Sequence, residues 1–412
     1  MTTIFYEALP VARLTFENEW RLDYDPSWEE RRSAFPVSLT MPLRSGPIAA
    51  DRLLPWLANL LPETHLAEIG QRLKVSPQDI VGLLGHIGRD TAGALSIGAP
   101  RKAGIHLQPV PDAEALERIL DELPTKPFLV GERGVSMSLA GVQEKLPVFV
   151  DEDGAISIPV DGTPSTHILK PDTKRVAGSV ENEAFCLALA RACELDVAEA
   201  TIGTARKRRF LLVKRYDRFT DAQGEIRRLH QEDLCQLTGH FPSQKYERSS
   251  TGRGVTLKRM SNAVSDLVSP SARLTLLDAV IFNVLICNSD SHAKNYSVLI
   301  GAGGSVKMAP LYDLMCAAVY RQVDQSLPQG VAGRFNAPDL RRADWQALAD
   351  ELGLSGASTL RRLEKLAERV SAACDDVALQ VVAFAGDPAR VLEKIIHSIR
   401  KRCRRMQAQA RR

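Results

Sequence analysis

The chain has no apolar run long enough to cross a bilayer. Its most apolar stretch, Ala279 to Cys287, covers nine residues and is broken by Asn283, whereas a spanning helix needs about 20. The opening residues, MTTIFYEALPVARLTFENEW, lack the basic, apolar and small-residue regions of a secretory leader. Seven cysteines, an odd number, include no CxxC pair. They read as reduced thiols, so a cytoplasmic location is expected. Charge of one sign is nearly absent as an excess: 53 Lys and Arg against 50 Asp and Glu leave +3. Bulk electrostatics therefore do not mark a nucleic-acid binder. Internal repeats and long low-complexity segments are missing too. What is there is ordinary globular protein, 44% apolar and 25% charged over 412 residues. That length suits two or three domains.

The texture changes along the chain. Residues 1–105 mix short β-like runs, Val11–Phe16 and Phe35–Leu39, with helical stretches at Leu53–Leu60 and Glu63–Leu73. They read as an N-terminal α+β subdomain. Residues 106–128, proline-rich around one helical pattern at Ala113–Leu123, read as a linker. Residues 129–240 are β-rich. Leu146–Val150 and Ala155–Val160 flank Asp151-Glu-Asp-Gly154, a hairpin signal. His167–Lys170 and Phe210–Tyr216 are further strand candidates, with a helix expected over Val180–Cys193. In residues 241–412 helices dominate, including Leu274–Cys287 and much of Thr359–Arg402. Two short strands, Tyr296–Ile300 and Val306–Met308, interrupt them.

That order suits phosphoryl transfer, which needs few groups but needs them placed. Asp290-Ser-His-Ala-Lys-Asn295 has the D-x-x-x-x-N spacing of a kinase catalytic Asp and metal-binding Asn. Asp313 follows the second short strand, where a second metal aspartate belongs. Lys170 ends His-Ile-Leu-Lys, the position of an ATP lysine, and Glu183 lies on the next helix as its partner, ahead of Glu181. Neither familiar glycine loop, G-x-G-x-x-G or G-x-x-x-x-G-K-[ST], is present. Ser136-Met-Ser138-Leu-Ala140-Gly141-Val142-Gln143-Glu144-Lys145 takes that place; its small residues let backbone N–H groups approach phosphates.

Six segments in order resemble the HipA family of toxin kinases. They are Ser138–Lys145, Thr166–Lys170, Glu181–Glu183, Leu229–Asp233, Asn288–Asn295 and Pro310–Asp313. The resemblance implies a two-lobed protein-kinase-like α+β fold, with a β-rich N-lobe, a helical C-lobe and the added N-terminal subdomain. It implies a serine/threonine kinase toxin using ATP and Mg²⁺, with Asp290 as base and Asn295 and Asp313 on the metal. Ala140–Lys145, Lys170, His292, Lys294, Asn295 and Tyr312 would contact the nucleotide, and Glu232, Asp233 and Leu234 would form the adenine hinge. Leu234 stands where family members often carry an aromatic. Ser138 would be autophosphorylated, switching the kinase off, with Ser136 the competing site. A helix-turn-helix antitoxin would contact residues 1–105 and connect the protein to operator DNA indirectly; no membrane partner is implied. The substrate would be a protein, in a class that includes translation factors and tRNA synthetases.

Plainer readings stand beside these. Asp290 could be a helix-terminal cap, and His292 beside one Asp lacks a metal-ligand set. His230 and Asp217 read as structural. The basic run Arg400–Arg405 with Arg411-Arg412 reads first as a solvated helix end, and second as a nucleic-acid contact. The rival functions are a small-molecule or lipid kinase of the same architecture and a non-catalytic repressor subunit.

Overall fold

The computed structural model describes residues 1–173, 176–249, 252–385 and 389–411. Arg412, the last residue of the basic run, lies outside the described residues. The chain forms two compact units: residues 1–171, 203–242 and 298–306 in the first, and 172–202, 243–297 and 307–412 in the second.

The first unit is built on sheets. An antiparallel five-stranded sheet has the order Ile48–Ala49, Trp20–Tyr24, Leu9–Phe16, Thr2–Tyr6, Leu95–Ile97. Ile4, Leu14 and Leu22 on these strands are fully buried, as period-2 alternation over one packed face requires. The expected strand Phe35–Leu39 is instead an irregular buried segment. Its backbone groups bond to side chains: the Trp28 indole donates to the Phe35 carbonyl at 3.0 Å, and the Val37 N–H to the Tyr24 hydroxyl at 2.8 Å. The Phe35 ring meets Tyr6 and Trp28 edge-on, each at 5.2 Å between centroids. Aromatic packing, rather than a ladder, consumes this apolar run.

A second sheet contains Arg208–Lys214, His167–Pro171, Leu146–Val150, Ile156–Pro159 and Leu107–Pro109 in that order, with Ala200–Ala205 beyond the first. The hairpin expected at residues 146–160 is present, with Phe149 opposite Ser157. Leu107–Pro109, expected within a linker, pairs with Ile156–Pro159 as an edge strand.

Between the N-terminal strands and this sheet lies a buried ion cluster. Asp90 meets Arg218 at 2.9 Å, Arg228 at 3.3 Å and Arg215 at 3.6 Å. Asp217 meets Arg215 at 2.8 Å and Arg218 at 3.1 Å. Burial alone would push both acids up, but the guanidiniums outweigh it and hold both below the usual carboxylate range. Asp217 also accepts the Gly93 N–H at 2.7 Å, so its structural reading agrees with its contacts.

The second unit is largely helical. Helix Ser179–Ala192 starts where the Asp172 carboxylate accepts from the N–H groups of Gly178 and Ser179, at 3.1 and 3.0 Å. Helix Ala272–Leu285 buries Leu276, Leu277, Val280, Ile281 and Phe282, so apolar residues surround it rather than forming one stripe. Long helices Gly356–Ala385 and Ala389–Arg411 follow. On the last, Cys403 and Met406 are buried while Lys401, Arg404 and Arg411 are exposed. The basic run is therefore the wet face of an amphipathic helix. All seven cysteines are thiols outside any disulfide, and all are buried.

Candidate active site

Helix Ala272–Leu285 ends at a left-handed turn: Cys287 has φ 60°. Beyond it a ladder of amides sets the loop. The Asn283 side chain donates to the Ala279 carbonyl at 3.0 Å and the Tyr296 hydroxyl at 3.1 Å, and its Oδ1 accepts from Asn288 Nδ2 at 2.9 Å. Asn288 Oδ1 then accepts the Asp290 N–H at 3.0 Å, and its Nδ2 lies 3.4 Å from the Asp313 carbonyl. One asparagine thus ties the backbones at Asp290 and Asp313 together. Asn283, which looks like a flaw in an apolar helix, anchors this arrangement. An unexplained buried amide was the signal available in sequence.

Within the loop, Asn295 Nδ2 donates to the Asp290 carbonyl at 2.8 Å. The donor half of the amide is turned toward the loop, and its Oδ1 is the ligand atom it can offer. Asp313, at φ 56°, sits in a left-handed bend. An amide oxygen and a carboxylate form an oxygen-only set suited to Mg²⁺, which takes one or two protein ligands and completes its shell with phosphate and water. Among the described residues no group of three or more His, Cys, Asp or Glu could hold a metal. His292 is 5% exposed, and its Nδ1 has no hydrogen-bond partner among the described residues. Burial, reinforced by Lys245, drives its pKa well down, so it is a neutral imidazole. The Tyr312 hydroxyl reaches the Lys294 carbonyl and Ser297 Oγ, each at 2.7 Å. It braces the loop that carries Lys294 and Asn295.

The remaining candidates divide between the units. Glu183 and Glu181 are buried on Ser179–Ala192 in the second unit. Lys170, 7% exposed, lies in the first unit on His167–Pro171, opposite Leu211. The phosphate-loop candidate also belongs to the first unit. Lys145 Nζ donates to the Ala140 carbonyl at 2.6 Å, curling residues 140–145. Gly141, at φ 109°, takes a backbone conformation that residues with a side chain rarely adopt. Val142, Gln143 and Glu144 complete the curl. Ser138 is fully buried: its hydroxyl donates to the Leu60 carbonyl at 2.7 Å and its N–H to the Asp90 carbonyl at 3.0 Å.

At the hinge candidate the side chains face inward. Leu234 is fully buried, and Asp233 caps Leu234–Leu237 in a reciprocal box with Gln236. Glu232 Oε1 accepts the Leu39 N–H at 2.9 Å. Burial pushes the Glu232 carboxyl up from 4.5 to about 7. The folded state therefore binds an extra proton between those values, so stability is full below about pH 4.5 and falls as pH rises to about 7. At pH 8, Glu232→Gln is expected to recover roughly 3 kcal/mol of that loss. Urea unfolding of both proteins at pH 5 and pH 8 checks it; parallel pH dependences would refute the assignment.

A β-rich unit carrying a curled small-residue loop and a strand lysine, with a helical unit carrying an Asp–Asn loop, defines a kinase-type α+β protein. Residues 2–98 match the model of the HipA N-terminal domain, and residues 137–378 that of the HipA-like C-terminal domain. The chain is 37% identical to the putative kinase Y4mE of Sinorhizobium fredii, covering 89% of each protein. It is 31% identical to the serine/threonine-protein kinase toxin HipA of Shewanella oneidensis, covering 96% of this chain and 94% of that one. It is also similar to the solved structure of Shewanella oneidensis HipA with HipB and its operator DNA. That likeness has a TM-score of 0.86 at 27% identity, over 100% of this chain and 98% of the other. The chain belongs to the HipA family and has its kinase-like α+β fold. No helix among the described residues is long and apolar enough to cross a membrane.

Proposed function

We propose that this protein is an ATP- and Mg²⁺-dependent serine/threonine kinase toxin of the cytoplasm, held in check by a helix-turn-helix antitoxin. The observation that carries the kinase reading is the Asp290–Asn295 loop, closed by the Asn295 amide on the Asp290 carbonyl. That closure supports a reading in which the proposed base and metal ligand share one short segment. ATP would supply the γ-phosphoryl group, and Mg²⁺, when bound, would neutralise the phosphate charge. Asp290 accepts the proton of a Ser or Thr hydroxyl as that oxygen attacks the γ-phosphorus and the bond to the departing ADP breaks. Asn295 and Asp313 offer oxygens to the metal, Lys170 steadies phosphate oxygens with Glu183 as its partner, and residues 140–145 present N–H groups. With hinge side chains turned inward, adenine is read by the backbone of residues 232–234. His292 and Lys294 line the loop beside the phosphates.

The antitoxin reading is supported by the Shewanella protein's capture with HipB and operator DNA. Residues 1–105 are the proposed partner surface, and operator DNA is reached through the partner. Incubating the purified protein with labelled ATP, Mg²⁺ and a cell lysate tests the activity. Label on Ser or Thr of a discrete protein is expected; label only in small molecules or lipids would overturn the protein-kinase reading.

Ser138 is the proposed autophosphorylation site. Its burial means the loop must leave its bed before the hydroxyl can be reached, so self-modification is expected to be slower than transfer to substrate. A phosphate there adds about −1.5 to −2 charge and cannot return to the Leu60 carbonyl, so the loop stays out and activity is lost. Ser136 is only half-buried, with its hydroxyl 2.6 Å from the His86 carbonyl. Peptide mapping after incubation with Mg-ATP separates the two; phosphate on Ser136 alone, or full activity of the Ser138-phosphorylated form, would refute the switch.

A further inference from the structure

We propose that Tyr246 is a positioning residue for phosphoryl transfer, fixing the Asp290 carboxylate from a strap made by residues 244–249 and 252–255. This rests on the reading of Asp290 as the base. Asp290 needs such help because its side chain is 61% exposed. An exposed carboxylate samples several rotamers, whereas phosphoryl transfer depends chiefly on placement. The Tyr246 hydroxyl donates to Asp290 Oδ1. A donor on one oxygen sets both the rotamer and the plane of the carboxylate. The phenol is itself held: its ring stands perpendicular to the buried His292 imidazole, 5.1 Å between centroids. That contact gives the neutral, sequestered His292 a role as a wall for Tyr246.

The strap is bound to its surroundings by backbone and side-chain groups. The Lys245 carbonyl accepts the Ala293 N–H at 3.2 Å and Gln329 Nε2 at 2.8 Å. The Glu247 N–H donates to the Pro328 carbonyl at 2.9 Å, and its carboxylate accepts the Gly330 N–H at 2.8 Å. The Arg248 guanidinium lies 3.7 Å over the Phe335 ring. The return leg closes with Gly254 N–H on the Glu247 carbonyl at 2.9 Å and Val255 N–H on the Gln244 carbonyl at 3.0 Å. Only glycine fits at 254, since a Cβ would lie 2.1 Å from the Tyr246 carbonyl and 2.2 Å from that of Gln244. The chain thus closes tightly around Tyr246, on both sides of the residue that touches the catalytic carboxylate. A tyrosine kept only for packing would need the ring and not the hydroxyl.

Tyr246→Phe keeps the ring on His292 and removes only the donor. It is expected to lower kcat about tenfold to a hundredfold, with the KM for ATP and the thermal midpoint unchanged. In an Asp290→Asn background the same change should have no further effect, because the hydroxyl acts through the carboxylate. Wild-type kcat in Tyr246→Phe, or a full multiplicative loss on top of Asp290→Asn, would overturn this proposal while leaving the base assignment standing. Near-wild-type activity of Asp290→Asn by itself would overturn the base assignment, and the proposal with it.

Discussion

Replacing Asp290 with Ala is expected to lower phosphoryl transfer by about 10²–10⁴-fold, the usual contribution of a positioned base, while the protein stays folded. The side chain is 61% exposed, so its loss opens no cavity. Three contacts that shape the loop use the Asp290 backbone: its N–H on Asn288 Oδ1, and its carbonyl receiving Asn295 Nδ2 at 2.8 Å and the His292 N–H at 2.8 Å. Alanine keeps all three. Asp313→Asn should be similarly inactive, since it removes the negative charge from the proposed metal while tolerating the left-handed φ of 56°. Transfer of ³²P to protein, with thermal unfolding as the control, measures both effects. A folded Asp290→Ala protein with near-normal transfer would sink the assignment of Asp290 as the base. If toxicity follows catalysis, growth inhibition on expression should vanish with either change.

Replacing Asp90 with Ala is expected to cost about 3–5 kcal/mol of stability, the range for removing one partner of a buried ion pair. Asp90 is 2% exposed and neighbours three guanidiniums, of which only Arg215 and Arg218 also meet Asp217. Burial and the adjacent Arg215 already depress the Arg218 pKa to about 10. Without Asp90 the three cations would face one carboxylate in a site closed to water. The Asp90 side chain also accepts the Ser165 N–H at 3.1 Å, so that donor would be left unsatisfied. Asn at this position keeps an acceptor but not the charge, and should fall between wild type and Ala. Urea denaturation ranks the three; a loss below about 1 kcal/mol for Asp90→Ala would show that the guanidiniums find other partners.

Much of this was legible in the chain because it is local. The hairpin at residues 146–160 announces itself by alternation and a turn, and the Asp–Asn spacing lies within six consecutive residues. Lys170 could be placed because it ends a recognisable strand. Tyr246 could not be found this way, since it sits in an aperiodic stretch and reaches a carboxylate 44 positions later. Asp90 and Arg218 are 128 positions apart, and no pattern around either residue signals the other. Phe35–Leu39 was misread because burial alone makes a run look like a strand; the donors and acceptors that keep it irregular, Trp28 and Tyr24, lie outside it.

The ion cluster constrains how such chains can be recombined. Asp90 falls in the stretch matched by the N-terminal family model, whereas Arg215, Arg218 and Arg228 fall in the stretch matched by the C-terminal one. A chimera joined near residue 100 would import its acid from one parent and its guanidiniums from another. Parents that balance this charge with different residues would yield a protein with an orphaned buried ion, however well their apolar surfaces agreed. The two segments are therefore best exchanged together, or with the residue at position 90 checked against those at 215, 217, 218 and 228.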